Sequence, residues 1–259
     1  MEIIAADKLK KLYANGQGIQ SLSFKAGKGE FIGVLGFSGA GKTTLMRLLC
    51  GAIFPTGGSL QVMGQNMLAV TRPELARLRR QMTTVYQNFN VVPTLSVAQN
   101  VYLGKIGDTS IFSTLKNLLW LSPAEAGKIA RLLSLLGIED KFNERCQELS
   151  GGQQQRVAVA RALYSEAELI LADEPIASVD PATASLILNL FLEVKNNGKT
   201  VIMNLHQITN AVQYCTRLLV LEKGQLAYDG PPQLFLASAV YARLSGEKAT
   251  GVKGEGVYA

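Results

Sequence analysis

The chain has 259 residues, 47% of them hydrophobic, and 26 Lys and Arg against 20 Asp and Glu give it a net charge of +6. That length suits one large α/β domain or a domain with a subdomain, and the hydrophobic share can fill its core, so a compact unit is expected. No window reaches the ~18 apolar residues of a membrane-spanning helix. Met1 to Lys8 lack a secretory leader's pattern, and Cys50, Cys146 and Cys215 have no metal-ligand spacing, so the expectation is a soluble cytoplasmic chain with inert thiols.

Residues 2 to 35 alternate short apolar runs with turn signals at Ala14-Asn15-Gly16 and Gly27-Lys28-Gly29, the pattern of strands joined by tight connections. Tyr13 sits in the first connection. An apolar run, Phe31 to Leu35, enters Gly36-Phe37-Ser38-Gly39-Ala40-Gly41-Lys42-Thr43-Thr44 and leaves as a helix, Leu45 to Leu49, stopped at Gly51. In spacing and setting this is a phosphate-binding loop. Its glycines let backbone amides turn toward one point, the helix start adds positive potential, and Lys42 brings a full charge. An anionic phosphate is the natural occupant, with the Thr43 hydroxyl on a magnesium ion that bridges the outer phosphates.

Pro55-Thr56-Gly57-Gly58 then turns the chain into a strand, Ser59 to Met63. Pro73 opens a helix to about Gln81, and Thr83 to Tyr86 is a β run entering Gln87. Arg72, Arg77, Arg79 and Arg80 cluster on that helix as a solvated face, with no nucleic-acid motif beside them. From Asn88 to about Arg161 helical periodicity takes over. Ile111, Phe112, Leu115, Leu118 and Leu119 form an apolar stripe, read as core with partner contact as the alternative. Ser122, Pro123 and Glu125 predict a capping-box helix start, and Gly137 its stop. A buried strand follows at Leu169 to Ala172, a helix at Pro181 to Asn197 ending near Gly198, and a strand at Thr200 to Asn204. Arg217 to Leu221 and Gln225 to Asp229 predict a hairpin, and Ser245 to Ala259 a mobile tail. Strands alternating with helices imply a mostly parallel sheet covered on both faces.

A phosphate loop needs an acidic residue at the end of a neighbouring buried strand to hold the magnesium. Leu169-Ile170-Leu171-Ala172 supplies it by leading into Asp173 and Glu174. Adjacent carboxylates at a strand end point in different directions, so Asp173 is assigned to the metal and Glu174 to polarising an attacking water as general base. Further on, Leu149-Ser150-Gly151-Gly152-Gln153, followed by Gln154, Gln155 and Arg156, is a second amide-rich helix start that seeks phosphate.

With these motifs in this order, the chain resembles the ATP-binding-cassette ATPases over residues 2 to about 237. The resemblance implies an α/β fold: a P-loop NTPase core with a mostly parallel sheet and N-terminal antiparallel β elements, together with an α-helical subdomain. The core would be residues 1–87 and 162–244, the helical signature subdomain 88–161, and the tail 245–259. ATP and Mg2+ are the implied cofactors. Tyr13 would stack on adenine, while Gly36, Ser38, Gly39, Ala40, Gly41, Lys42, Thr43 and Thr44 would cradle the phosphates. Gln87 would sense γ-phosphate and join Thr43 and Asp173 at the metal. His206, the only histidine, would contact γ-phosphate. Catalysis would rest on Glu174, His206, Gln87 and Lys42. Ser150, Gly151, Gly152 and Gln153 would close over the nucleotide of a second copy, head to tail, with Asp180 crossing that interface. One mild departure is Ala177-Ser178-Val179, where many members carry Ser-Ala-Leu.

Ala172 to Pro181, Gln87-Asn88-Phe89-Asn90, His206-Gln207 and the segment Gly104 to Leu121 with Phe112 and Trp120 are similar to the form in phosphonate importer ATPases, and phosphite and phosphate importers share many of them. The implied partners are two transmembrane permease subunits, received near Gln87, and through them a periplasmic or lipid-anchored solute-binding protein. The chain would lie peripherally on the cytoplasmic face of the inner membrane, with no nucleic acid as partner. The alternatives are an ATPase of another transporter type, such as lipoprotein release, and a cassette acting on nucleic acid. The latter class carries a long coiled coil or tandem cassettes, and this chain has neither.

Overall fold

The computed structural model describes residues 1–105, 118 and 120–246. Apart from Leu118, the apolar stripe expected at Ile111 to Leu119 lies outside the described residues, as does the tail beyond Gly246.

The described strands form one sheet in the order β5-β4-β1-β2-β10-β9-β3-β8-β7-β6. Their ranges are β1 Glu2–Leu12, β2 Gly18–Gly27, β3 Phe31–Gly36, β4 Gly57–Val62, β5 Gln65–Asn66, β6 Met82–Val85, β7 Leu169–Asp173, β8 Thr200–Asn204, β9 Arg217–Glu222 and β10 Gln225–Gly230. β9, β3, β8, β7 and β6 run parallel to one another. β1 pairs antiparallel with β2 and β4, and β9 with β10, so the N-terminal strands form an antiparallel leaf. A single parallel contact, Gln225 to Ser21, joins that leaf to the centre.

Every residue of β7 and β8 is buried, as uninterrupted apolar runs in a parallel sheet covered on both faces require. Alternate residues serve opposite faces. Ile170, Ala172, Val201 and Met203 enter one apolar cluster with the helices after residue 88. Leu169, Leu171 and Ile202 enter another with the antiparallel leaf and helix α1 (Lys42–Leu49).

The remaining α-helices among the described residues are α2 Arg72–Arg80, α3 Val97–Tyr102, α4 Pro123–Leu135, α5 Gly151–Tyr164, α6 Pro181–Asn196, α7 Ile208–Tyr214, α8 Pro232–Leu236 and α9 Ala239–Ser245. α1 begins three residues before the expected Leu45, because Gly41 supplies its start. Only half of the box predicted at Ser122 forms. The Ser122 hydroxyl accepts the Glu125 N–H at 3.3 Å, but the Glu125 carboxylate turns away to Lys105 and Lys128 at 3.5 and 3.8 Å. Full capping boxes stand instead at Thr71/Glu74, Ser96/Gln99 and Ser150/Gln153.

The sheet order positions the site. β3, β8, β7 and β6 are adjacent and parallel, so their C-terminal ends share one edge. From that edge emerge the phosphate loop, Leu205-His206, Asp173-Glu174 and Tyr86-Gln87.

Candidate active site

One cleft of about 410 Å³ at this edge is lined by Tyr13, residues 38–44, Gln87, Glu174 and His206, with Gln17 and Gly18. The loop can wrap it because its glycines take conformations other residues resist: φ is 146° at Gly36, 76° at Gly39 and 103° at Gly41. A Cβ at Gly36 would stand 2.2 Å from the Leu221 carbonyl oxygen, so the loop is pressed against β9 there and Gly36 lies beneath the cleft rather than in its wall. Gly41 starts α1 with no side-chain cap, which leaves that helix's first amides for a ligand. Lys42 is buried, and its ammonium donates to the carbonyls of Gly36 at 2.7 Å and Phe37 at 3.2 Å. Burial pushes its pKa down, partly countered by the negative charges of Glu174 and Asp173. Tyr13, 39% exposed, stands at the rim.

A crevice of about 280 Å³ is lined by Thr43, Gln87 and Asp173 together. These are oxygen donors suited to a hard cation, and no group of three His, Cys, Asp or Glu among the described residues could hold a metal by itself. The donor set, with its one carboxylate, therefore fits Mg2+, which is held through one or two carboxylates and completes its shell with phosphate and water.

Asn204, fully buried at the end of β8, grips both acids. Its side-chain NH2 donates to Asp173 Oδ1 at 2.6 Å, and its main-chain carbonyl accepts the Glu174 N–H at 3.2 Å. Glu174 is thereby held with φ at 55°, a left-handed conformation costing about 1–2 kcal/mol for an L residue. Its carboxylate meets His206 Nε2 at 2.5 Å. Glu174 and His206 also line a second cavity of about 330 Å³ with Asn204 and Ser185. Sequence reasoning passed over Asn204; the available signal was an amide closing a strand otherwise built to be buried, since a buried polar group needs a partner.

The Ser150 to Gln153 stretch lines none of these cavities within its own chain. Ser150 and Gly151 are exposed, and the start of α5 is closed on itself: Ser150 N–H donates to Gln153 Oε1 at 2.9 Å while the Ser150 hydroxyl accepts from Gln153 N–H at 3.4 Å. A Cβ at Gly152 would come within 3.1 Å of the Ser178 carbonyl oxygen, so that glycine lets the loop before Asp180 pack on the signature. Asp180 is exposed and caps α6, accepting from Thr183 N–H at 3.0 Å and from the Thr183 hydroxyl at 2.6 Å. Those two bonds hold its carboxyl below the ordinary range.

The family model for ABC transporters matches residues 19–177 of this chain. The chain belongs to the ABC transporter family. A Phosphonates import ATP-binding protein, PhnC, from Lactococcus lactis subsp. lactis is 37% identical over 235 residues, covering 89% of this chain and 94% of that protein. Among solved structures, the dimeric post-hydrolysis state of the ATP-binding cassette MJ0796 bound to ADP and Pi is 30% identical with a TM-score of 0.74, covering 88% of this chain and 98% of that one. CbiO1 of Clostridium perfringens, described as part of the ABC transporter complex CbiONQ, is 25% identical with a TM-score of 0.75 over 96% of both chains. The mixed α/β sheet is the architecture of these cassettes. In this ABC ATPase, the candidate residues fall into two sets. Tyr13, the phosphate loop, Gln87, Asp173, Glu174 and His206 surround one cleft and its crevice, whereas Ser150 to Gln153 and Asp180 line neither.

Proposed function

We propose that this chain is the ATP-hydrolysing subunit of an importer and that Glu174 is its general base. The observation that carries this reading is the single cleft where Lys42, Gln87, Glu174 and His206 meet around uncapped helix amides. ATP would stack its base on Tyr13 and place its phosphates over residues 38–44, with Lys42 leaving the carbonyls of Gly36 and Phe37 for the outer phosphates. Thr43, Gln87 and Asp173 would hold Mg2+, which supplies charge neutralisation between the outer phosphates. Glu174 would accept a proton from the water as its oxygen attacks the γ-phosphorus. The bond to the β–γ bridging oxygen breaks, and its electron pair leaves with ADP. His206, now on the Glu174 carboxylate, would turn its N–H to a γ-phosphate oxygen when ATP is bound. Glu174→Gln is expected to keep ATP binding and favour a stable dimer while lowering turnover by 10²-fold or more, on the order of a general base's share. Normal hydrolysis by that variant would overturn the assignment.

Ser150 to Gln153 and Asp180 would complete the site of a second copy, a reading supported by the exposure of Ser150, Gly151 and Asp180 and by the dimeric form of MJ0796. Membrane subunits would dock at a groove of about 440 Å³ beside the Gln87 loop, lined by Arg79, Arg80, Tyr86, Asn90, Gly104 and Arg161. The relative CbiO1, itself part of a transporter complex, supports that docking. No helix among the described residues is long and apolar enough to cross a membrane, so those subunits would hold the chain at the cytoplasmic face. Phosphonate is the substrate indicated by the PhnC relative, delivered by a solute-binding protein. Titrating a copurifying solute-binding protein with phosphonates, phosphite and phosphate checks this, and preference for another solute class would refute it.

A further inference from the structure

We propose that Arg161 is a positioning residue that sets Gln87 in the cleft and ties it to the signature helix; this rests on the reading of Gln87 and Ser150 to Gln153 given above. Two residues past Gln87, Phe89 and Asn90 have φ of 60° and 50°. Asn accepts the left-handed region, but a bulky Phe does not, and such a pair persists only where its surroundings hold it. The hold comes from α5. The Arg161 guanidinium donates through Nη1 to the Asn90 carbonyl at 2.8 Å and through Nη2 to the Phe89 carbonyl at 3.2 Å. Among the described residues it has no carboxylate partner, so its planar fork is committed to this turn. At the other end of α5, a Cβ on Gly151 would lie 3.7 Å from Phe89 Cζ, so the Phe89 ring rests against the signature glycine.

The Gln87 loop is thus fastened to α5 at two points, Gly151 in its first turn and Arg161 in its last. Gln87 lines the cleft and, with Thr43 and Asp173, the crevice, while Ser150 to Gln153 at the start of α5 line neither. A shift of Gln87 toward a nucleotide in this chain's cleft is therefore transmitted to the surface offered to the partner's nucleotide. Arg161 also lines the groove beside the loop, where an incoming segment would press on the same fork.

The test uses the full chain with Mg-ATP and four variants: Arg161→Gln, Arg161→Lys, Asn90→Gly, and Arg161→Gln with Asn90→Gly. Arg161→Gln is expected to lower kcat roughly tenfold, within the range that misplacement of a group costs. Nucleotide affinity, measured with a fluorescent ATP analogue, should stay within about twofold because the phosphate loop is intact. The Hill coefficient for ATP should fall toward one. Asn90→Gly alone is the reference against which the double variant is read, because Asn90 also lines the groove. In the Arg161→Gln background it should restore most of the lost kcat, because glycine takes the left-handed turn without help. Arg161→Lys, which keeps charge and stem but loses the fork, should give an intermediate kcat at an unchanged melting temperature. Unaltered kcat in folded Arg161→Gln or Arg161→Lys, or failure of Asn90→Gly to rescue, would overturn the proposal. Failure of the unmodified chain to hydrolyse ATP would instead overturn the reading on which it rests.

Discussion

Helix α1 begins on Gly41, with φ of 103° and no side-chain cap, whereas α5 begins on Ser150, whose hydroxyl closes a capping box with Gln153. Both are amide-rich starts able to face a phosphate. The first lines a cleft within its own chain, beside a buried ammonium that has only carbonyls to bond. It is left unfinished, and its uncapped donors and desolvated charge are costs that a bound anion would remove. The second is satisfied in advance and exposed. In the proposed roles, a helix start that receives ligand inside the chain would be built at the expense of stability, while one presented to another surface would be built to stand alone.

Lys42→Ala should break this contrast most. Loss of a charge-assisted contact to phosphate is expected to weaken ATP binding by about 10- to 100-fold, measured by nucleotide titration. The melting temperature should not fall, since the substitution removes a buried cation. Ser150→Ala should behave in the opposite way. Nucleotide affinity of the isolated chain is expected to stay within about twofold, because Ser150 lines no part of the cleft. Stability should fall by about 1 kcal/mol for the lost cap, a shift of roughly 2–4 °C in melting temperature. If Lys42→Ala is the destabilised variant and Ser150→Ala the one deficient in monomer binding, the two helix starts have been given the wrong roles.

Much of this was legible in the chain. The phosphate loop and the acids after β7 could be read because each couples an uninterrupted apolar run to residues with a backbone or charge requirement, glycines at 36, 39 and 41 and carboxylates at 173 and 174. Hidden features were those where tertiary structure overrides local preference. Phe89 and Glu174 take left-handed conformations that their residue types do not advertise, held by Arg161 and by the Asn204 main-chain carbonyl. The capping signals Thr71-x-x-Glu74 and Ser96-x-x-Gln99 were present but overlooked, and α8, with five residues, is too short for a helical period to show. The order of strands across the sheet, which brings Gln87, Asp173, Glu174 and His206 to one edge, depends on contacts between segments more than 80 residues apart, such as β6 with β7.

Completion of one copy's cleft by the signature of another is what the proposed function requires. It is tested by mixing one chain carrying Ser38→Cys with a second carrying Ser150→Cys, in a Glu174→Gln background, under mild oxidation with and without ATP. Ser38 and Ser150 are exposed, and the three native cysteines are buried, so the introduced thiols dominate. A disulfide-linked pair of chains formed by the mixture with ATP, and by neither variant alone, is the expected result. No linked pair in the mixture, or equal linkage in each variant by itself, would contradict the head-to-tail composite site.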